Sequence, residues 1–280
     1  MRICLVLVIG LTLGLFVEAQ TSGATQGVVA TTSEMSRNLP EFEVATIKPT
    51  APGGAYASGV KVYPGGRVVG SALSLRALIT VAFRVSYWQV VGGDSWTDNE
   101  KYDIEARPSD NSRSEIKTLR YLWYSIEDEH LRQMLQTLLI DRFQLKFHRD
   151  IKTGTMYLLG TSGNTLRLTP TPPLSAGADP STADARSTSI GFAGRWVLSN
   201  TSMSQLAKFA ADYYILAPVL DRTGLSGGYD YKQPEDPTAA KIDPTDSFYN
   251  LINEVGLKLE RTTGPIETFV IDQARPRPLN

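Results

Sequence analysis

Several sets of side chains in this sequence are of the types that do chemistry, and each also has a plainer role open to it. Asp221, Thr223 and Asp230 offer oxygens in the loop Asp221-Arg222-Thr223-Gly224-Leu225-Ser226-Gly227-Gly228-Tyr229-Asp230. A calcium loop spaces its acids as Asp-x-Asp, which is absent here. The loop therefore reads as an Asx-turn opened by Asp221, with glycines at positive φ. On that reading Asp221, Thr223, Gly224, Gly227, Tyr229 and Asp230 form a structural loop. The two histidines, His130 and His148, lack a second convergent ligand of the His-Glu-x-x-His kind that zinc requires. His148 alternates with Phe147 on an expected strand and points away from the core, while His130 sits in the acidic start of a helix. Glu127-Asp128-Glu129 has acid/base side chains, but acids in a first helical turn are what the macrodipole favours. There is no Gly-x-Ser-x-Gly elbow and no phosphate-cradling loop. No catalytic residue, metal or cofactor is assigned.

Aromatic side chains are the remaining candidates. Tyr87-Trp88 and Trp96 flank the Gly92-Gly93-Asp94 turn, and Tyr121, Trp123 and Tyr124 crowd a later segment. Trp123 shares an apolar stripe with Leu119 and Leu122, whereas Tyr121 and Tyr124 lie off it. Packing accounts for some of these rings. Tyr87, Trp88, Trp96, Tyr121 and Tyr124 make up the candidate ligand-binding set.

The elements that position these residues come from an internal echo. Gly66-Arg67-Val68-Val69, Ser71, Ser74 and Leu78 are answered in the same spacing by Gly194-Arg195-Trp196-Val197, Ser199, Ser202 and Leu206. Tyr102-Asp103 is answered by Tyr229-Asp230, Leu145-Lys146-Phe147 by Leu257-Lys258-Leu259, and Tyr157-Leu158-Leu159 by Phe269-Val270-Ile271. An echo of this length implies a duplicated folding unit. Ser74 is expected to cap a helix carrying Leu75, Leu78, Ile79 and Ala82, and Ser202 or Ser204 one carrying Met203, Leu206, Ala207 and Ala210. Leu131, Met134, Leu135 and Leu138, and again Phe248, Leu251, Ile252 and Val255, follow the spacing of a helix with one buried face. Strands are expected at Phe42–Ile47, Arg67–Gly70, Gln89–Gly92, Lys101–Ala106 and their counterparts. Each unit should close with two strands joined by a hairpin, Leu145–His148 with Met156–Gly160 and Leu257–Glu260 with Glu267–Asp272, turning at Gly154 and at Gly264-Pro265. The unit is then β-α-β-β-α-β-β, and the class is α+β: internally duplicated units whose helices pack on mainly antiparallel sheets.

The ends and joints complete the organisation. Met1-Arg2, the apolar run Ile3–Val17 and Val17-Glu18-Ala19 before Gln20 read as a signal peptide over 1–19, too short for a membrane span of roughly 20 residues. The mature protein is then secreted or periplasmic, has no membrane span, and has lost Cys4, the only cysteine. Residues 20–40 read as a flexible leader, 41–168 as the first unit, 169–190 as a Pro/Ser/Ala-rich linker and 191–275 as the second unit. Residues 50–66, rich in glycine and proline, are expected to be loop. Ser114–Glu127 is expected to be an extra helical segment of the first unit, through Leu119, Leu122, Trp123 and Ile126. Lys+Arg totals 28 against 29 for Asp+Glu, with no basic stripe, so a nucleic-acid partner is excluded.

Four motifs in order resemble one family. They are Phe42-Glu43-Val44-Ala45-Thr46-Ile47-Lys48-Pro49; Leu135 through Arg149, with Asp141-Arg142-Phe143-Gln144-Leu145 at its centre; Val219 through Asp230; and Gly256-Leu257-Lys258-Leu259-Glu260 with Val270-Ile271-Asp272. Together they resemble a large paralogous group of secreted proteins found mainly in soil acidobacteria, built on a domain of unknown function sometimes attached to membrane-bound sensor peptidases. The resemblance spans roughly residues 42–275 and carries over no catalytic residue. The sequence departs from that pattern at Ser114–Glu127 and at Gly163-Asn164-Thr165-Leu166, where the family tends to lysine.

Two functional readings follow. The first is a non-catalytic envelope module that binds a peptide, a glycan or a protein partner through a sheet edge or the groove between units. The alternative is a secreted hydrolase with a carboxylate site in the inter-unit cleft. The duplication favours the first, because paired units build interfaces readily and no activated nucleophile is in sight.

Overall fold

The computed structural model describes residues 40–53, 58–109, 120–122, 126, 128–172, 189–192, 195–234 and 243–276. The expected signal peptide, residues 20–39 of the expected leader, Leu119, Trp123 and Tyr124 lie outside these residues, as does the side chain of Tyr121. In chain order the elements are β1 (Val44–Pro49), β2 (Gly59–Val62), β3 (Val68–Leu73), α1 (Leu75–Phe83), β4 (Val90–Gly92), α2 (Trp96–Asn99), β5 (Tyr102–Arg107), β6 (Arg120–Leu122), α3 (Glu129–Phe143), β7 (Lys146–Thr161) and β8 (Thr169–Pro170). They continue with β9 (Ser189–Phe192), β10 (Trp196–Thr201), α4 (Met203–Ala210), β11 (Val219–Asp221), β12 (Tyr229–Lys232), α5 (Pro244–Glu254) and β13 (Leu257–Gln273). A single 3-10 turn spans Tyr87–Gln89 and a π-helical turn spans Ala211–Ile215. The fold is α+β, with helices on mainly antiparallel sheets.

Three sheets carry the architecture, ordered β1-β5-β3-β2-β6, β8-β12-β10-β9 and β11-β7-β13-β4. The first two are antiparallel throughout. In the third, β7 and β13 pair antiparallel from Leu257↔Thr161 to Gln273↔Lys146, while β11 joins β7 and β4 joins β13 in parallel.

That long pairing overturns the expected hairpins. Neither Gly154 nor Gly264-Pro265 turns the chain; they face one another, Gly264↔Gly154 and Pro265↔Thr153, in the middle of one continuous ribbon. The physical reason is close packing rather than turn geometry. A Cβ built on Gly154 would stand 2.6 Å from Ile266 Cδ1, and one on Gly264 would run into Met156 Sδ. Glycine is needed here because it lacks a side chain, and neither residue is among the positive-φ positions.

The ribbon also divides the core. Phe147 of β7 and Phe269 and Ile271 of β13 pack with α1, α3 and the first sheet. Phe147 and Phe269 stack at 4.3 Å, with Phe83 at 4.8 Å from both. Leu159 of β7 and Leu257 of β13 pack with α4, α5 and the second sheet. Each cluster therefore draws on a long strand from the other half of the chain, so the two cores are laced by shared strands.

The helices form where their stripes place them. Leu131, Met134, Leu135 and Leu138 are buried on α3, and Phe248, Leu251 and Ile252 on α5 with Val255 just past its end. Ser74 accepts from the Ala77 amide and Ser202 from the Gln205 amide, so Ser202 rather than Ser204 is the second cap. The repeated Tyr-Asp pair is structural in both places. Ala72 (φ 50°) and Asn200 (φ 44°) are left-handed non-glycine residues, each at a bulge. The Ala72 amide donates to Asp103 Oδ1 at 2.9 Å and the Asn200 amide to Asp230 Oδ1 at 2.7 Å. The carboxylate captures an amide that the bulge has removed from the ladder.

Three further expectations change. Residues 50–66 are not all loop, because Gly59–Val62 is β2, whose Val60 and Val62 are buried in the first core. The helical reading of Ser114–Glu127 fails at Arg120–Leu122, which is β6 and pairs with Val60–Val62; period-3.6 spacing over four apolar residues was outweighed by an open strand edge. The linker 169–190 begins and ends in strands, Thr169–Pro170 on β12 and Ser189–Phe192 on β10.

Candidate functional site

A groove of about 410 Å³ beside the ribbon centre has walls from both halves. Its near wall is Trp88 and Gln89, in the 3-10 turn after α1. Its far wall is one face of α4 with Pro218–Asp221, and Pro265–Glu267 of β13 complete it. Gly92 and Gly93 at positive φ let the chain turn from β4 into α2 within a few residues. Gln89 Nε2 fastens the 3-10 turn by donating to the Glu267 carbonyl at 3.0 Å. Ser86 donates to the Asp212 carboxylate across the seam, and Lys208 Nζ meets the other oxygen of Asp212 at 2.8 Å.

The two carboxylates of the groove are engaged. Asp221 Oδ1 accepts from the Thr223 amide at 2.9 Å and from Thr223 Oγ1 at 2.8 Å, and Thr223 Oγ1 in turn accepts from the Leu225 amide at 3.1 Å. Gly224 and Gly227 take φ 71° and 84°, Tyr229 is buried, and Asp230 holds Asn200. The loop from Asp221 to Asp230 is thus tied together by its own side chains. Glu267 pairs with Arg149. Among the described residues no group of three or more His, Cys, Asp or Glu side chains gathers in a way that could hold a metal ion. His148 Nδ1 lies 2.8 Å from Asp272 Oδ1 on the open face of the ribbon, and His130 is exposed at the start of α3.

Of the candidate aromatics, the side chains of Tyr87, Trp88 and Trp96 are described, and each has a different setting. Trp88 lines the groove, and its indole Nε1 is shielded from solvent without a hydrogen-bond partner among the described residues. Tyr87 is exposed and its hydroxyl donates to Asp98. Trp96 opens α2 and packs against the first core, stacked on Phe143 at 6.3 Å. The backbone of Tyr121 pairs with Lys61 in the first sheet.

A second arrangement, on the first half, bears on the groove. Arg76 of α1 donates through Nε to Asp98 Oδ1 at 2.6 Å and through Nη2 to Asp98 Oδ2 at 3.0 Å. The same guanidinium donates to the carbonyls of Val90 and of Gly92, the latter at 3.1 Å. Arg76 thereby covers the outer edge of β4, which would otherwise present bare backbone groups. Its hydrogen bonds hold the Asp98 carboxyl below the usual carboxylate range, and burial, reinforced by Asp98, pushes the Tyr87 hydroxyl up.

Sequence reasoning missed Arg76, Ser204, Lys208 and Glu267 as a group. On a helical stripe Arg76 looks like a solvated charge. The available signal was the echo itself, since Ser204 stands where the first copy has Arg76.

A family model described as a protein of unknown function, DUF3738, matches residues 76–274, more than half of the chain. No curated protein and no solved structure matches it.

Proposed function

The chain belongs to the DUF3738 family of proteins of unknown function, and from that premise we propose that it is a non-catalytic binding module whose seam groove takes a peptide segment of an envelope protein. The observation that carries this reading is the composition of the groove. Apolar groups (Ala207, Ala211, Pro218, Pro265 and Ile266) alternate with a few fixed polar ones, in a cleft of the size that holds a side chain or short segment. The far wall includes β11, an edge strand of its sheet. An edge strand presents backbone groups in the register that an extended peptide matches, which favours a peptide over a glycan.

The matching order of elements from β2 to β7 and from β9 to β13 supports an internal duplication, with a first unit at 41–168 and a second at 191–275. In that reading duplication supplies two similar edges and leaves one free for recognition. Secretion after removal of residues 1–19 places the module outside the cytoplasm. No helix among the described residues is long and apolar enough to cross a membrane, which is compatible with this placement.

The hydrolase reading is the weaker one. Its two carboxylates in the cleft are Asp221, bound to its own loop, and Glu267, paired with Arg149. The one hydroxyl bonded to Asp221, Thr223 Oγ1, is itself tied into the loop by the Leu225 amide, so it serves the turn rather than standing as a free nucleophile. The test is a peptide array and a panel of peptide and glycan hydrolysis substrates, run on residues 20–280 and on an Asp221→Asn, Glu267→Gln double variant. Peptide capture without turnover is expected. Turnover that disappears in the double variant would establish the hydrolase instead.

A further inference from the structure

The edge of β11 is built like the edge of β4 but lacks its plug. In the parallel pairing with β7, the Tyr157 amide donates to the Pro218 carbonyl and the Arg222 amide to the Leu159 carbonyl, both at 2.8 Å. With Val219 opposite Tyr157 and Asp221 opposite Leu159, this pattern turns the N–H and C=O groups of Val219 and Asp221 outward, away from β7. Val90 and Gly92 hold the same relation to Phe269 and Ile271 of β13. Their outward carbonyls are the two that the Arg76 guanidinium occupies.

On the second half the helical position of Arg76 is taken by Ser204, whose side chain is too short to reach a strand edge. Among the described residues nothing donates to the outward carbonyls of Val219 and Asp221. The groove lies against this edge, with Ser204, Val219 and Asp221 in its lining. Asp221 uses only Oδ1 in its own loop, so Oδ2 has no hydrogen-bond partner among the described residues. The nearby Lys208 amine is directed to Asp212. The groove thus offers two backbone carbonyls and a carboxylate oxygen, the acceptor types that Arg76 satisfies in the first half.

We propose that this groove is a guanidinium site, which accepts an arginine side chain of a peptide partner in the place where the first half holds its own Arg76. The proposal rests on the reading of the seam groove as a peptide site and specifies what that site recognises. A planar fork of N–H donors spans two carbonyls of one strand and a carboxylate; an ammonium offers no such fork. A neutral urea has similar shape but lacks the charge that makes these hydrogen bonds strong.

Three probes separate the possibilities: N-acetyl-arginine methylamide, the citrulline analogue and the lysine analogue, each titrated into residues 20–280 with amide shifts followed by NMR. The arginine probe should shift the Val219, Leu220 and Asp221 amides, with an affinity at least about tenfold above either analogue. Ser204→Arg places an intramolecular guanidinium on the same edge and should abolish these shifts. Ser204 is exposed, and an unchanged melting curve for the variant would establish that folding is intact. If all three probes bind the groove equally and Ser204→Arg blocks them, the groove binds ligands but the guanidinium assignment is wrong. If arginine-free peptides from the array shift the groove while the arginine probe does not, the assignment falls and the peptide site stands. If neither probes nor peptides shift the groove, both fall.

Discussion

Replacing Arg76 with alanine tests the reasoning about strand edges in a single side chain. The Arg76 side chain is only 12% exposed, and its guanidinium makes four hydrogen bonds, two to Asp98 and two to the β4 carbonyls. Hydrogen bonds to charged groups contribute about 1.5–3 kcal/mol each when fully shielded. Two considerations reduce the sum. Asp98 is 36% exposed, so water recovers part of its solvation when Arg76 is lost. The carbonyls of Val90 and Gly92 lie on a sheet edge and can also find water. A net loss of about 2–4 kcal/mol is expected, or a fall in Tm of roughly 5–12 °C. Arg76→Lys should recover less than half of it, since an ammonium cannot span both carbonyls and the carboxylate.

The pH dependence gives the assay a second arm. Arg76 lowers the folded-state pKa of Asp98. The pair's contribution is therefore complete above the unfolded carboxylate value of about 3.9 and is lost as pH falls through the lower folded value. Urea unfolding of the wild type and of Arg76→Ala should differ by a constant amount from about pH 5 to pH 8, and the gap should narrow below about pH 3.5. A gap under about 0.5 kcal/mol at pH 7, the size of an ordinary surface substitution, would refute the structural role given to Arg76. A gap that widens in acid would refute the pairing with Asp98.

Further predictions concern the core and the seam. Leu138→Ala and Leu251→Ala, at 7% and 0% exposure, should each cost about 2–5 kcal/mol in denaturant unfolding, as large-to-small changes in separate cores. Gly264→Ala should cost about 1–3 kcal/mol by pressing on Met156, and Gly264→Ala with Met156→Ala should cost less than the sum of the two; a hairpin turn would show no such coupling. Trp88→Phe keeps an aromatic ring but loses the pyrrole half of the indole with its unpaired buried N–H, so the small packing loss is offset by removal of the unsatisfied donor. It should be neutral or stabilising by up to about 1 kcal/mol, and a large loss of stability would mean that the indole is bonded.

What could be read in the sequence follows the range of the interactions involved. The helices were legible because their stripes and caps, such as the Leu131–Leu138 stripe and Ser202 before Met203, are decided within a few residues; that Asp128 caps the first of these, rather than lying in its first turn, was shown by the structure. The Asp221 loop was legible for the same reason, since its hydrogen bonds run over two residues. Gly154 and Gly264 misled because an isolated glycine between strand-like runs has the local look of a turn, whereas Ile266 and Met156, over a hundred residues away, decide its role. β2 was hidden by the glycines and prolines around it, although Val60 and Val62 alternate with Lys61. A groove between units was expected and Trp88 was a candidate, but the groove's remaining walls were illegible for a stronger reason. Its walls join Trp88 to α4 and to Glu267, and no local pattern couples segments so far apart. Besides Trp88, only the exchange of Arg76 for Ser204 in the echo marked the place.

Binding at the seam groove is checked by mapping amide and indole shifts of residues 20–280 against the peptide most strongly retained from a random array. The largest changes should fall on the Trp88 indole N–H and on the amides of Ser204, Val219 and Asp221. Changes centred on any other surface, or no retained peptide at all, would contradict it.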